Sequence, residues 1–208
     1  MRKNKSYFSL KKVNRIIRLL IVSDLFVVGG FALVAPIFAI YITRTIEGAD
    51  LAVLGIAEAI YLLTRSVFQV PFAMVVDRIK GENDNFWAVV IGLSIYAIVP
   101  LLYLSISFSW QLYAIQFLYG LGSAIAVPSW MAIFIKNVDK NHEGLEWGVY
   151  EMSVGLGSAL AAFMGGVLSE ILGFAPVFLM ISFMSLAGIA MIFMIRKDIY
   201  SGKSKIGG

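Results

Sequence analysis

Six stretches of this chain are each long and apolar enough to cross a lipid bilayer, and that decides which folds are open to it. They cover residues 19–43, 51–76, 86–106, 110–135, 147–172 and 175–195. A membrane-crossing helix needs about 20 mostly apolar residues. Six of them take up most of the 208 residues and leave no room for a separate soluble domain. They are too long for the strands of a transmembrane barrel and lack its period-two alternation. Basic residues precede the first stretch, as in a signal peptide. Its apolar run exceeds the usual length of about 7–15 residues and no small-x-small cleavage site follows, so it reads as a retained helix. Composition agrees, with 60% hydrophobic and 14% charged residues and a mean hydropathy of +0.85. In water such a chain would expose large apolar patches. The expected fold is an all-α integral membrane domain of six transmembrane helices. With no cysteine, disulfide scaffolds, zinc–thiolate sites and thiol catalysis are excluded.

Orientation follows from Lys and Arg in the loops. Arg2, Lys3, Lys5, Lys11, Lys12, Arg15 and Arg18 precede the first span. Arg78 and Lys80 follow the second, Lys136 and Lys140 the fourth, and Arg196, Lys197, Lys203 and Lys205 the sixth. These regions hold fifteen of the seventeen basic residues, which predicts that both termini are cytoplasmic in a cell membrane. The net charge of +4 is therefore a topology signal, and no nucleic-acid partner is needed to explain it. Residues 1–18 form a basic leader. Its Tyr7, Phe8, Leu10, Val13, Ile16 and Ile17 interleave with the charges. That pattern fits either an amphipathic helix on the membrane surface or a solvated charge run.

The chain repeats itself. Gly30 and Pro36 in the first span recur as Gly122 and Pro128 in the fourth, at an offset of 92. Gly55 and Glu58 in the second span recur as Gly148 and Glu151 in the fifth, at an offset of 93. This predicts two three-helix copies, 19–106 and 110–195, followed by a tail, 196–208. Three is odd, so the second copy enters the membrane from the opposite side. The expected arrangement is a 3+3 inverted repeat.

The motifs then point to a family. The run Ala73 to Gly81, with Asp77, Arg78 and Lys80, resembles the loop 2–3 signature Gly-x-Leu-Ala-Asp-Arg-x-Gly-Arg of the major facilitator superfamily. Ala73 stands for its first Gly, and Lys80-Gly81 for its final Gly-Arg. Gln116, Gly120, Gly122 and Ala124 resemble the span 4 motif Arg-x-x-Gln-Gly-x-Gly-x-Ala, with Gln116 in place of arginine. Gly157, Ala161, Ala162, Gly165 and Gly166 resemble the span 5 motif Gly-x-x-x-Gly-Pro-x-x-Gly-Gly, with Ala-Ala for Gly-Pro. Gly30 to Pro36 is similar to the family's span 1 pattern. The resemblance covers nearly the whole chain and the first six of the family's usual twelve helices. It implies a half-size secondary transporter of a small solute, working as a homodimer with its twofold axis along the membrane normal. It also implies that Asp77 and Arg78 act in gating, with Asp77 near the start of span 5 of the other half. A non-transporting accessory or assembly protein and the N-terminal half of a longer transporter are the alternatives.

Ionisable residues inside spans are costly and are functional candidates by default. Here they are Asp24, Glu58, Arg65 and Glu151. Arg65 is the deepest and needs a partner, for which Asp24, Glu58 and Glu151 are the candidates. They either form a fold-fixing ion pair or bind substrate and protons. A carboxylate in low dielectric holds its proton to higher pH than in water, and a nearby guanidinium opposes this. Proton coupling through Asp24 or Glu151 is expected on that ground. Tyr61, Gln69, Gln116, Tyr119, Ser123 and Trp130 are candidates to line a cavity. Gly157, Ala161 and Gly165 fall on one helix face and allow close packing, either inside the bundle or at a seam between halves. Pro36 and Pro128 are candidate kinks. There is no nucleophile elbow, metalloprotease helix or Walker loop. No enzyme activity, catalytic residue, cofactor or metal is expected.

Overall fold

The computed structural model describes residues 13–78 and 82–200. Most of the basic leader, Lys80 and Gly81 of the loop motif, and the tail from 201 onward lie outside them. Seven helices occur among the described residues, namely α1 Arg15–Val34, α2 Phe38–Thr45, α3 Leu51–Arg78, α4 Glu82–Tyr103, α5 Ser109–Asn137, α6 Glu143–Leu172 and α7 Phe174–Tyr200. Six of them have the length and hydropathy of membrane spans. α2 is the exception, and it is part of the first predicted span. That span is broken at Ala35-Pro36-Ile37. Proline has no N–H to give the carbonyl four residues back, and its ring crowds that carbonyl. The chain recovers through one tight turn, in which Ile37 N–H donates to Val34 O at 3.0 Å. Pro128, by contrast, lies within the uninterrupted α5. The turns just before it are held on neighbouring helices by Gly120, Gly122 and Ala126, whereas Ala35 and Pro36 are exposed.

The helices pack in a symmetric pattern. α1 packs on α6 and α7, α5 packs on α3 and α4, and α4 packs on α7. Exchanging spans 1, 2 and 3 for spans 4, 5 and 6 leaves this list unchanged. The pattern is that of an inverted repeat, with one addition. The first helix of each sequence copy packs on the second and third helices of the other copy: α1 joins α6 and α7, and α5 joins α3 and α4.

Glycines set the closest approaches. A Cβ on Gly92 of α4 would lie 2.5 Å from the Ala126 Cβ and 2.6 Å from the Gly122 carbonyl of α5. A Cβ on Gly120 would lie 2.8 Å from the Tyr61 carbonyl of α3. With lipid as solvent, such backbone approach is a main source of helix association. Two side-chain clusters fill the interior, one around Ile17, Leu20 and Phe86, the other around Ile42, Leu112 and Phe178.

The ends of the bundle are fixed by contacts between distant residues. Arg15 pairs with Asp198 at 3.1 Å, and Asn14 Nδ2 donates to the Asn137 carbonyl at 3.2 Å. The start of α1 and the ends of α5 and α7 therefore share one end, called here the terminal end. α3 and α6 form the rim. Only 11% of the apolar window of each is buried, against 44–56% for the other four spans.

Candidate functional site

Two cavities lie at different depths, separated by aromatic rings. The far-side cavity, about 320 Å³, is lined by residues toward the end opposite the termini. It is lined by Phe31, Val34, Ala35 and Phe38 around the α1 break, by Glu58 and Tyr61 of α3, by Tyr103 of α4, and by Gln116 and Tyr119 of α5. Gln116 is buried and accepts a hydrogen bond from Tyr103 Oη at 3.3 Å. The terminal-side cavity, about 240 Å³, is lined by Asp24, Val27 and Val28 of α1, Arg65 of α3, and Val89, Leu93 and Tyr96 of α4. Ala126, Val127, Trp130 and Met131 of α5 and Trp147 and Tyr150 of α6 complete it.

The dividing wall comes from four helices. Phe31 stacks on Tyr119 at 5.0 Å, and Tyr61 stacks on the same ring at 4.7 Å. Tyr96 meets Phe31 at 5.5 Å and Tyr119 at 5.0 Å. Offset and edge-on ring pairs of this kind add to the burial they bring. Below the wall, at the terminal-side cavity, Tyr150 lies between Trp130 and Trp147, 5.0 Å from each indole. The indole N–H of Trp130 is buried and has no acceptor among the described residues.

The sequence-predicted residues divide between these places. Asp24 accepts a hydrogen bond from Tyr150 Oη at 2.9 Å. Arg65 lines the same cavity and donates from Nη1 to Tyr61 Oη at 3.5 Å, a long contact. Arg65 forms no ion pair among the described residues, which corrects the pairing expected for it. The reason is geometric. Glu58 lies seven residues away along α3, which is about 10 Å of helix rise, and belongs to the far-side cavity. Asp24 is engaged by Tyr150, and Glu151 is exposed on the surface of α6, outside both cavities. Tyr61, Gln116 and Tyr119 line the far-side cavity, Trp130 lines the other, and Ser123 accepts from Tyr61 at 3.5 Å. Gln69 reaches neither. Asp77 and Arg78 are exposed at the end of α3. Gly157 and Gly165 face α1, where a Cβ would meet the Leu25 side chain and the Leu33 backbone respectively. Their close packing is thus inside the bundle and not at a seam, whereas Gly166 has open space beside it.

The comparison with known families matches the Major Facilitator Superfamily over residues 20–207. The chain belongs to the major facilitator superfamily. It is a multi-pass membrane protein of a family of transporters, not of enzymes. Among curated relatives, it is 28% identical over 162 residues to the inner membrane transport protein YajR of Escherichia coli, covering 78% of this chain and 34% of that protein. It is 26% identical over 176 residues to the uncharacterized MFS-type transporter MJ1560 of Methanocaldococcus jannaschii, covering 85% and 44%. The chain therefore spans less than half the length of these relatives. Among solved structures, the POT family transporter PepTSo matches with a TM-score of 0.72 at 18% identity, over 89% of this chain and 38% of that one. This is a likeness of fold.

Sequence reasoning missed Tyr150, Trp147, Tyr96 and Phe31. Trp147 and Tyr150 are three apart and so share a helix face, as do Trp130 and Phe134, which are four apart. That spacing was the available signal. Nothing in the sequence said that the two faces meet.

Proposed function

We propose that this major facilitator chain serves secondary transport of a small solute by alternating access, coupled to protons. The observation that carries the reading is the pair of cavities. They lie on opposite sides of one aromatic wall, and each holds an ionisable residue deep in a span. A site that opens first to one side and then to the other needs this layout, because the wall must part on one side while the other stays shut. Asp24 is the proton carrier in this reading. It lines a cavity and accepts a hydrogen bond from Tyr150. The charged or titratable groups at that cavity are Arg65 from α3, Tyr96 from α4 and Tyr150 from α6, and α5 presents none. Separation of Asp24 from Arg65 favours proton capture, and their approach favours release. Glu151 on the exposed face of α6 is the second candidate.

Two further points belong to the same reading. The distribution of basic residues supports cytoplasmic termini in a cell membrane. The thinly covered α3 and α6 support a second six-helix unit against the rim, supplied by another copy of the chain. Two copies would enclose the cavities and keep Arg65 away from lipid.

The absence of cysteine makes the test direct. Single cysteines at Val28 and at Ala35 sample the two cavities. In reconstituted protein, a membrane-impermeant thiol reagent should label the Val28 position from the terminal side and the Ala35 position from the far side. A pH shift should raise one accessibility while lowering the other. Accessibilities that rise and fall together would rule out alternating access.

A further inference from the structure

Arg65 is a half-buried guanidinium that lines the terminal-side cavity from inside a membrane span. It offers five N–H donors and, among the described residues, makes one long hydrogen bond, to Tyr61 at 3.5 Å. It has no carboxylate in ion-pair contact among the described residues. A charge held in a span ordinarily finds a partner or water. The planar guanidinium fork matches a carboxylate in bidentate fashion, and such charge-assisted pairs are the strong ones. The surroundings narrow the ligand further. Apart from Arg65, Asp24, the tyrosine hydroxyls and the indole N–H groups, the cavity wall is aromatic and aliphatic. A polyol would leave most of its hydroxyls without partners there, a costly arrangement. A flat or branched apolar body is instead received by the faces of Trp130, Trp147 and Tyr150. At about 240 Å³ the cavity suits a body of about one ring. Asp24 sets the charge, since a second negative group on the ligand would face its carboxylate.

We propose that the terminal-side cavity takes a small organic monoanion, with its carboxylate on Arg65 and its apolar body against Trp130, Trp147 and Tyr150. The proposal rests on the transporter reading and names the substrate class for the same site. It also links the two ligands. An anion on Arg65 makes an ionised Asp24 less favourable, so anion and proton favour each other's binding, and by linkage the effect is reciprocal.

The test uses the purified full chain in nanodiscs, with tryptophan fluorescence as readout, because two of the four tryptophans line the cavity. The probes are benzoate, its neutral analogue benzamide, the cation benzylammonium, and inorganic phosphate. Benzoate should bind saturably and at least about tenfold more tightly than each of the others, as expected for a charge-assisted hydrogen-bonded pair. Arg65→Gln should remove the preference for benzoate over benzamide, and Arg65→Lys should keep part of it. If Arg65→Gln does not fold, the wild-type ranking and Arg65→Lys still decide. Equal or tighter binding of benzamide, benzylammonium or phosphate overturns the proposal, as does the absence of saturable benzoate binding. Such a failure alongside intact alternating accessibility of the Val28 and Ala35 positions would sink the substrate class alone. Failure of both would sink the transporter reading too.

Discussion

At the scale of single residues, Asp24 and Arg65 share a cavity but not an ion pair, and this sets what each substitution should do. Asp24→Asn keeps the shape and the hydrogen bond from Tyr150, since the amide oxygen still accepts. If Asp24 only held the fold, the variant would lose thermal stability. If it carries the proton, the variant remains folded, still exchanges solute across the membrane, and no longer concentrates it against a pH gradient. The linkage argument adds a sign. Protonation of Asp24 removes a negative charge from the cavity, so benzoate binding to the wild type should tighten as pH falls. In Asp24→Asn the affinity should be flat across the same range. A wild-type affinity that weakens on acidification would refute the coupling. Glu151→Gln is the companion measurement, and it should leave the pH profile of benzoate binding as it is, because Glu151 faces out of the cavities.

At the scale of helices, packing is governed by where a single Cβ fits. Gly165 and Gly166 are neighbours in sequence and opposites in environment. A methyl group on Gly165 would run into the Leu33 backbone of α1, while one on Gly166 meets nothing. Backbone cannot step aside as a flexible side chain can. Gly165→Ala should therefore cost about 1–3 kcal/mol, typical of overpacking, and lower the midpoint of thermal unfolding in detergent. Gly166→Ala should be neutral or slightly stabilising, because alanine is the better helix former. Equal losses would show that the α1–α6 contact is not what makes Gly165 sensitive. The prolines teach the same lesson. Pro36 and Pro128 occupy equivalent places in the repeat, yet only the first breaks its helix. The missing hydrogen bond is the same in both. What differs is that α5 is clamped on α3 and α4 in the turns just before Pro128, while the chain at Pro36 is exposed beside a cavity.

At the scale of the whole molecule, α3 and α6 are the two ends of an open row of helices. They are not packed on one another. Asp77 lies exposed at the terminal end of α3, and α6 begins at that same end with open space beside Gly144 and Gly148. The free N–H groups of a helix start favour a carboxylate by about 0.3–1 kcal/mol. In a pair of units related by a twofold axis, each Asp77 would reach the α6 start of the other. Cysteines at Asp77 and Gly144 should then form crosslinks that double the apparent mass on a denaturing gel. Crosslinks confined to one chain, or a monomeric mass in nanodiscs with accessibility still alternating, would exclude the homodimer.

The six spans, their lipid setting, the internal repeat and the family were all legible in the sequence. Each rests on a property that is local or periodic: twenty apolar residues in a row, a glycine and a proline at a fixed offset, an Asp-Arg pair after a span. The intramembrane charges were legible for the same reason, since a charge in an apolar run stands out wherever the run folds. Their partners were not. Arg65 had three candidate carboxylates and pairs with none, because pairing depends on rotation and depth between helices that are far apart in sequence. The exchange of α1 between the two copies, the meeting of the α5 and α6 aromatic faces at Asp24, and the rings that divide one cavity from the other were decided only by tertiary packing. In lipid, apolar side chains gain little by leaving their surroundings for one another. Which faces meet is settled instead by close fit at a few small residues, such as Gly92, Gly120 and Gly165, and that fit has no period to read.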